Sequence, residues 1–382
     1  MPYEIWACGS NSAYQLAIGN DTDQSVLQKV PLPALATMKP KSLVFGASHT
    51  LAILPDGRVF GCGSNEFGQL GIAQYTVAKN FIELPGRWSE VAAGWEFSIL
   101  LSTDGTLYSC GKGPKGELGL GGDVKVAHEC TRINLALVRL HERVRDSPVV
   151  LVKASVNHVV VQLQNGVFVG WGASRKGQLG AIDHKLSHSL KPPPLLFEPT
   201  VLLFGPARDY CVGRERTLLL LNWIEVAGRP LENEAGGGIA ELRQTTDENL
   251  LFNSHNARSD SAGEEYHWNE NSPMTELKVA CGWSSVHVLR DGILTGQGKQ
   301  THGQVYSHEQ YTGPIVDFEA GSEHGVFLTE QNTVYSWGWG EHGNCGSNHD
   351  ESLLTELYNG QEKVVGMACG LATTWIVLET PE

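Results

Sequence analysis

The sequence predicts an all-β protein: a seven-bladed β-propeller closed by pairing its N- and C-terminal strands in one blade. Three observations carry this expectation. One glycine-rich string recurs in register along the chain, an apolar hairpin precedes almost every copy, and each end of the chain holds half of such a unit.

The strings are ACGSNSAYQLA (7–17), GCGSNEFGQLG (61–71), SCGKGPKGELG (109–119), GWGASRKGQLG (170–180), GQGKQTHGQVY (296–306) and SWGWGEHGNCG (336–346). Their anchoring glycines are Gly9, Gly63, Gly111, Gly172, Gly298 and Gly338. The gap from Gly172 to Gly298 spans two periods, so one copy has decayed, and FGPARDYCVGRERTLLLLNW (204–223) supplies its hairpin. Each hairpin reads as a turn, an apolar strand, a two-residue turn and a second strand, as in FGASHTLAILPDGRVF and KASVNHVVVQLQNGVFV. Asp-Gly or Asn-Gly between two such runs is a strong hairpin signal, because type I′ turns need positive φ at both central residues. ACGLATTWIVL (368–378) has no string after it and the string at Ala7 has no hairpin before it, so the two complete one blade. Closing the ring removes exposed sheet edges. One repetitive domain thereby absorbs 382 residues, a length that otherwise suggests two or three domains.

Three stretches break the period. Residues 121–147 read as an insertion with a short surface helix, since Ile133, Leu137 and Leu140 fall near helical spacing. Residues 183–199 include KPPPLLFEP, an extended crossover in which proline removes donors and fixes φ. Residues 232–276 set Glu232, Glu234, Glu241, Asp247, Glu248, Asp260, Glu264, Glu265, Glu270 and Glu276 against only Arg243 and Arg258. That composition reads as a flexible acidic excursion, either a passive loop or a partner-contacting arm.

The formal charge of −14 argues against a surface that grips phosphate backbones, whose affinity comes from clustered Lys and Arg. No basic tail or secretory leader opens the chain, and its longest apolar run, 218–221, is far short of the roughly 20 residues of a membrane span. The expectation is a soluble intracellular protein with no direct nucleic-acid or membrane contact.

Neither catalytic, metal nor cofactor residues emerge. Gly111, Gly113, Gly116 and Gly338, Gly340, Gly343 match a dinucleotide fingerprint, but they recur in register with non-matching copies and open onto no helix. Cys8, Cys62 and Cys110 share a repeat position with Trp171 and Trp337, and Cys281 and Cys369 share one with Phe45 and Ala93, which marks buried packing sites. Cys345 aligns with the leucine of Gly-Gln-Leu-Gly. His49, His158 and His324 share a position and are expected to hydrogen-bond backbone within their blades. What the repeat leaves unexplained is Trp95 and Trp283, first after the turn glycine, and Trp339, at a polar loop position. Aromatics there suit interface anchors, the alternative being a loop tryptophan folded over the channel mouth. Glu341 and His342 adjoin Trp339, and Glu323 lies in the preceding turn of the same blade, so these six residues form the candidate partner-binding set.

The pattern G-x-x-H-[ST]…D-G-x-V-[YF]-x-[WC]-G-x-N-x-x-G-Q-L-G resembles the regulator of chromosome condensation repeat over nearly the whole chain. GSEHG (321–325), YSWGWGEHGNCG (335–346) and LATTWIVL (371–378) resemble its alpha-tubulin suppressor, or killer-toxin-insensitivity, branch. That resemblance implies a non-enzymatic, cytoplasmic and nuclear protein in a heterodimer with a small CSL-type zinc-ribbon protein. The partner carries the metal and electron chemistry of diphthamide synthesis on elongation factor two and of Elongator-dependent wobble-uridine modification in transfer RNA. The alternative, implied by the family's founding activity, is guanine-nucleotide exchange on a small GTPase.

Overall fold

The computed structural model of the protein describes residues 2–32, 37–145, 147–182, 193–221, 224–229, 242–244, 277–347 and 353–381. Their strands form seven sheets, six of four strands and one of three. Numbered along the chain, blades 1 to 6 occupy 42–84, 88–132, 149–202, 209–244, 278–298 and 315–358. Blade 7 closes the ring. Its order is Gln24–Val30, Tyr3–Gly9, Thr373–Glu379, Lys363–Cys369, with Ile5 opposite Val377 and Ala7 opposite Trp375 in an antiparallel ladder.

The anchoring glycines are required by their backbone. Gly9, Gly63, Gly111, Gly172, Gly298 and Gly338 all have φ between 94° and 146°, and a Cβ added to any of them would meet a carbonyl of the preceding hairpin turn. Gly228 does the same in blade 4, at φ 117° against the Glu215 carbonyl, so the decayed copy keeps its glycine. The sequence after Gly228 departs from the string pattern. The fourth strand of blade 4, Leu242–Gln244, runs parallel to Ile224–Gly228, an arrangement that needs a long connection.

The strings also join neighbouring blades. Carbonyls at one string position, those of Gln15, Gln69, Glu117, Gln178, Gln304 and Asn344, each accept a hydrogen bond from the next blade. The donors are Thr50, Ser98, Trp171 Nε1, Thr217, Trp337 Nε1 and Thr374, at 2.7–3.1 Å. Trp171, Trp337 and Trp375 are the largest fully buried side chains, so the core lies between blades. The histidines reach hydroxyls across the same seams, a correction to the expected backbone bonds within each blade: His49 Nε2 meets Ser98 Oγ at 2.9 Å, His158 Nε2 meets Thr217 Oγ1 at 3.2 Å and His324 Nε2 meets Thr374 Oγ1 at 3.1 Å.

Residues 121–147 are only partly an insertion. Val126–Arg132 is the fourth strand of blade 2, and a helix, Ala136–Arg139, follows it. Likewise Leu195–Leu202 is the fourth strand of blade 3. Outermost strands are half solvated, so their composition resembles that of loops. Residues 183–192 and, apart from 242–244, the acidic stretch 232–276 lie outside the described residues. Cys8, Cys62, Cys110 and Cys345 are fully buried, and burial pushes the Cys8 thiol up to about 12. Cys281 and Cys369 correct the expectation of core packing: they are half-buried on the wall of the central channel, because the innermost strand borders that channel.

Candidate functional site

The inner turns of the blades meet around one mouth of the channel and bond to one another. Ala47 N donates to Trp95 O at 2.9 Å and Trp95 N to Val156 O at 3.3 Å; Trp283 N donates to Ser322 O at 2.7 Å and Ser322 N to Leu371 O at 3.4 Å. These two runs of backbone bonds tie the turns of blades 1 to 3 and of blades 5 to 7 to one another.

Trp95 and Trp283 fold inward and meet, their ring centroids 5.8 Å apart with planes at 36°. Trp95 remains 40% exposed. On the other side of Trp283 the Arg214 guanidinium lies 4.7 Å from the ring centre, and the buried Trp283 Nε1 has no hydrogen-bond partner among the described residues. Trp339 is 38% exposed and stacks on His302 at 4.8 Å with planes 16° apart. Its loop is held from both sides, Trp339 N donating to Glu323 O and Asn344 Nδ2 donating to Trp339 O, each at 2.8 Å.

The acidic and polar groups lie beside these rings. The Ser284 hydroxyl donates to the Glu323 carboxylate; burial raises that carboxyl above its usual range, partly offset by hydrogen bonds from Ser284 and Gln304. His342 Nδ1 lies 3.0 Å from Asp23 Oδ2, and Glu341 is exposed. Trp95, Trp283, Glu323, Trp339, Glu341 and His342 all line one cleft of about 290 Å³. Below it the channel widens to a cavity of about 400 Å³, walled by Cys211, Cys281 and Cys369 and roofed by the two facing indoles.

Trp95 and Trp283 thus fold over the channel mouth, and Trp95 still exposes an aromatic face. Sequence reasoning missed His302, Asp23 and Arg214. His302 sits in the string of blade 5 and Asp23 just before the outer strand Gln24–Val30 of blade 7, and the ring order that brings these segments beside Trp339 and His342 was the available signal. Among the described residues no group of three or more His, Cys, Asp and Glu side chains could hold a metal. The arrangement offers aromatic faces, carboxylates and hydrogen-bonding groups side by side on one cleft.

Comparison with known proteins agrees with this architecture. Models of the regulator of chromosome condensation (RCC1) repeat match residues 41–69, 88–117 and 315–344, and also 56–101. An RCC1 repeat-containing protein of Schizosaccharomyces pombe is 24% identical over 98% of this chain and 99% of its own length. The secretion-regulating guanine nucleotide exchange factor of Mus musculus is 23% identical over 99% of this chain and 84% of its own. Prp20p of Saccharomyces cerevisiae superposes with a TM-score of 0.71 at 17% identity, covering all of this chain and 92% of Prp20p. This protein is a seven-bladed propeller in which segments of blades 1, 2 and 6 match the regulator of chromosome condensation repeat.

Proposed function

We propose that the protein is a non-catalytic scaffold that docks a partner protein over the channel mouth, with Trp95, Trp283 and Trp339 as anchors and Glu323, Glu341 and His342 around them. One observation carries this reading: three indoles from blades 2, 5 and 6, each at a turn position that sibling repeats fill differently, line a single cleft. Aromatic residues in such clefts dominate binding energy at protein interfaces.

The partner in this reading is a small CSL-type zinc-ribbon protein, and the heterodimer serves diphthamide synthesis and Elongator-dependent wobble-uridine modification. Support comes from the branch-like strings GSEHG and GWGEHG, which contribute Glu323, Trp339, Glu341 and His342 to the cleft. Any metal and electron transfer belong to the partner. Affinity purification of the tagged chain from cell extract, with identification of small bound proteins, tests this: a stoichiometric zinc-ribbon protein is expected, and its absence would count against the assignment.

A second reading is guanine-nucleotide exchange on a small GTPase. It is favoured by the near full-length similarity to a protein named as a secretion-regulating guanine nucleotide exchange factor. Release of labelled GDP from a co-purified GTPase separates the two, since acceleration by this chain would support exchange and overturn the scaffold.

A further inference from the structure

Cys211, Cys281 and Cys369 line the cavity of about 400 Å³ in the central channel, each half-buried and each a free thiol. The first two belong to the innermost strands of adjacent blades, Asp209–Val212 in blade 4 and Lys278–Cys281 in blade 5. Both pack against the apolar cluster of Leu218, Ile224, Val226, Val286 and Val288 between those blades, and their thiols are hydrogen-bond partners across the seam.

Arg216 stands beside Cys281. Its guanidinium donates to the carbonyl of Trp283, two residues beyond Cys281, at 3.5 Å. A Cβ added to Gly213 would strike Cys281 Sγ and come within 3.3 Å of Arg216 Cγ, so both side chains crowd one glycine, two residues from Cys211. The Cys281 thiol is lowered from its usual value, first by the hydrogen bond with Cys211 and then, against burial, by the Arg216 guanidinium. Cys211 is raised, first by the same hydrogen bond and then by burial, so the proton of the pair stays on Cys211. The thiolate is the nucleophilic form, and a neighbouring arginine favours it.

We propose that Cys281 and Cys211 form a thiol modification site for small hydroperoxides admitted to the channel, Cys281 attacking and Cys211 resolving. The Cys281 thiolate attacks one peroxide oxygen; the S–O bond forms, the O–O bond breaks, and hydroxide leaves. The Cys211 sulfur then attacks the Cys281 sulfenic acid; the S–S bond forms and the S–O bond breaks. The two thiol protons leave with the two hydroxides as two waters when the oxidant is hydrogen peroxide, which takes up two electrons, one from each sulfur. The product ties blades 4 and 5 together at the channel wall.

Two other thiol environments serve as internal comparisons. Cys369 lines the same cavity, but burial pushes its thiol well up. Cys110 and Cys130 are also hydrogen-bond partners, on neighbouring strands of blade 2, but there the nearby charge is Glu129, which opposes a thiolate.

The test is treatment of the reduced, folded full chain with equimolar hydrogen peroxide at neutral pH, followed by blocking of free thiols, tryptic digestion and mass spectrometry. A disulfide joining peptides 209–214 and 279–290 is expected before any other, and dithiothreitol should reverse it. In Cys211→Ser the disulfide should be lost and dimedone should label Cys281 in its place, with the thermal midpoint near the parent's. No such disulfide, earlier formation of a Cys110–Cys130 bond, or dimedone labelling of Cys369 ahead of Cys281 in the variant would overturn the site.

Discussion

The indoles of Trp95 and Trp283 lie 5.8 Å apart although they belong to blades 2 and 5, well separated around the ring. Two side chains that meet across the channel mouth cannot move independently of the ring's diameter, so the aromatic surface is tied to closure of the propeller.

Closure itself is testable by deleting residues 368–382. This removes Thr373–Glu379, the strand lying between Tyr3–Gly9 and Lys363–Cys369, and with it the fully buried Trp375 and Ile376. The loss of stability should far exceed the roughly 0.5–3 kcal/mol of a point mutation. A truncated chain that still melts cooperatively at the parent's midpoint would contradict the closed ring.

Acid should loosen the seams between blades. Burial lowers His49 to about 4 and His158 and His287 to about 3, so each is neutral in the folded protein at neutral pH. The unfolded chain takes up these protons near pH 6.5 and the folded chain does not, so stability is full above that value and falls as pH drops toward the folded values. The slope is about 1.4 kcal/mol per pH unit per histidine. Half-buried Glu319 and Glu323, whose carboxyls are raised by desolvation, act in the opposite direction. Urea midpoints of the parent and His49→Gln at pH 7.5 and pH 5 isolate one histidine: the variant should lose less on acidification, and equal losses would argue against the assignment.

Gly228→Ala tests the glycine of the decayed copy. At φ 117° an alanine is strained, and its Cβ would strike the Glu215 carbonyl. A cost of about 1–3 kcal/mol is expected in chemical denaturation, and a neutral substitution would show that blade 4 does not need this geometry.

Much of the fold was legible because its signals are local. The turn dipeptides, the strings and the half-units at the two ends specify hairpins, anchoring glycines and the closing blade without reference to distant residues. Gly228 escaped notice because the string that normally follows such a glycine is missing. Val126–Arg132 and Leu195–Leu202 escaped because outer strands lack a buried face on both sides. His49, His158 and His324 were placed at one repeat position correctly, but their hydroxyl partners lie in the next blade and share no sequence window with them. Of the six candidate residues, the three tryptophans were legible as departures from the repeat, and Glu323, Glu341 and His342 by their nearness to Trp339 in the same blade. That they line one cleft, and that two of them touch, depends on the width of the ring, which no local pattern encodes.

The most direct measurement is the affinity of Trp339→Ala for the proposed zinc-ribbon partner by isothermal titration, beside its thermal midpoint. Trp339 is an exposed loop side chain, so binding should weaken by at least about tenfold while the midpoint stays near the parent's. Trp171→Ala is the control. It empties a fully buried site and strands the Glu117 carbonyl, and should lower stability by about 3–5 kcal/mol. If Trp339→Ala destabilises as Trp171→Ala does and binds the partner normally once folded, the aromatic rim is structural and the docking site is wrong.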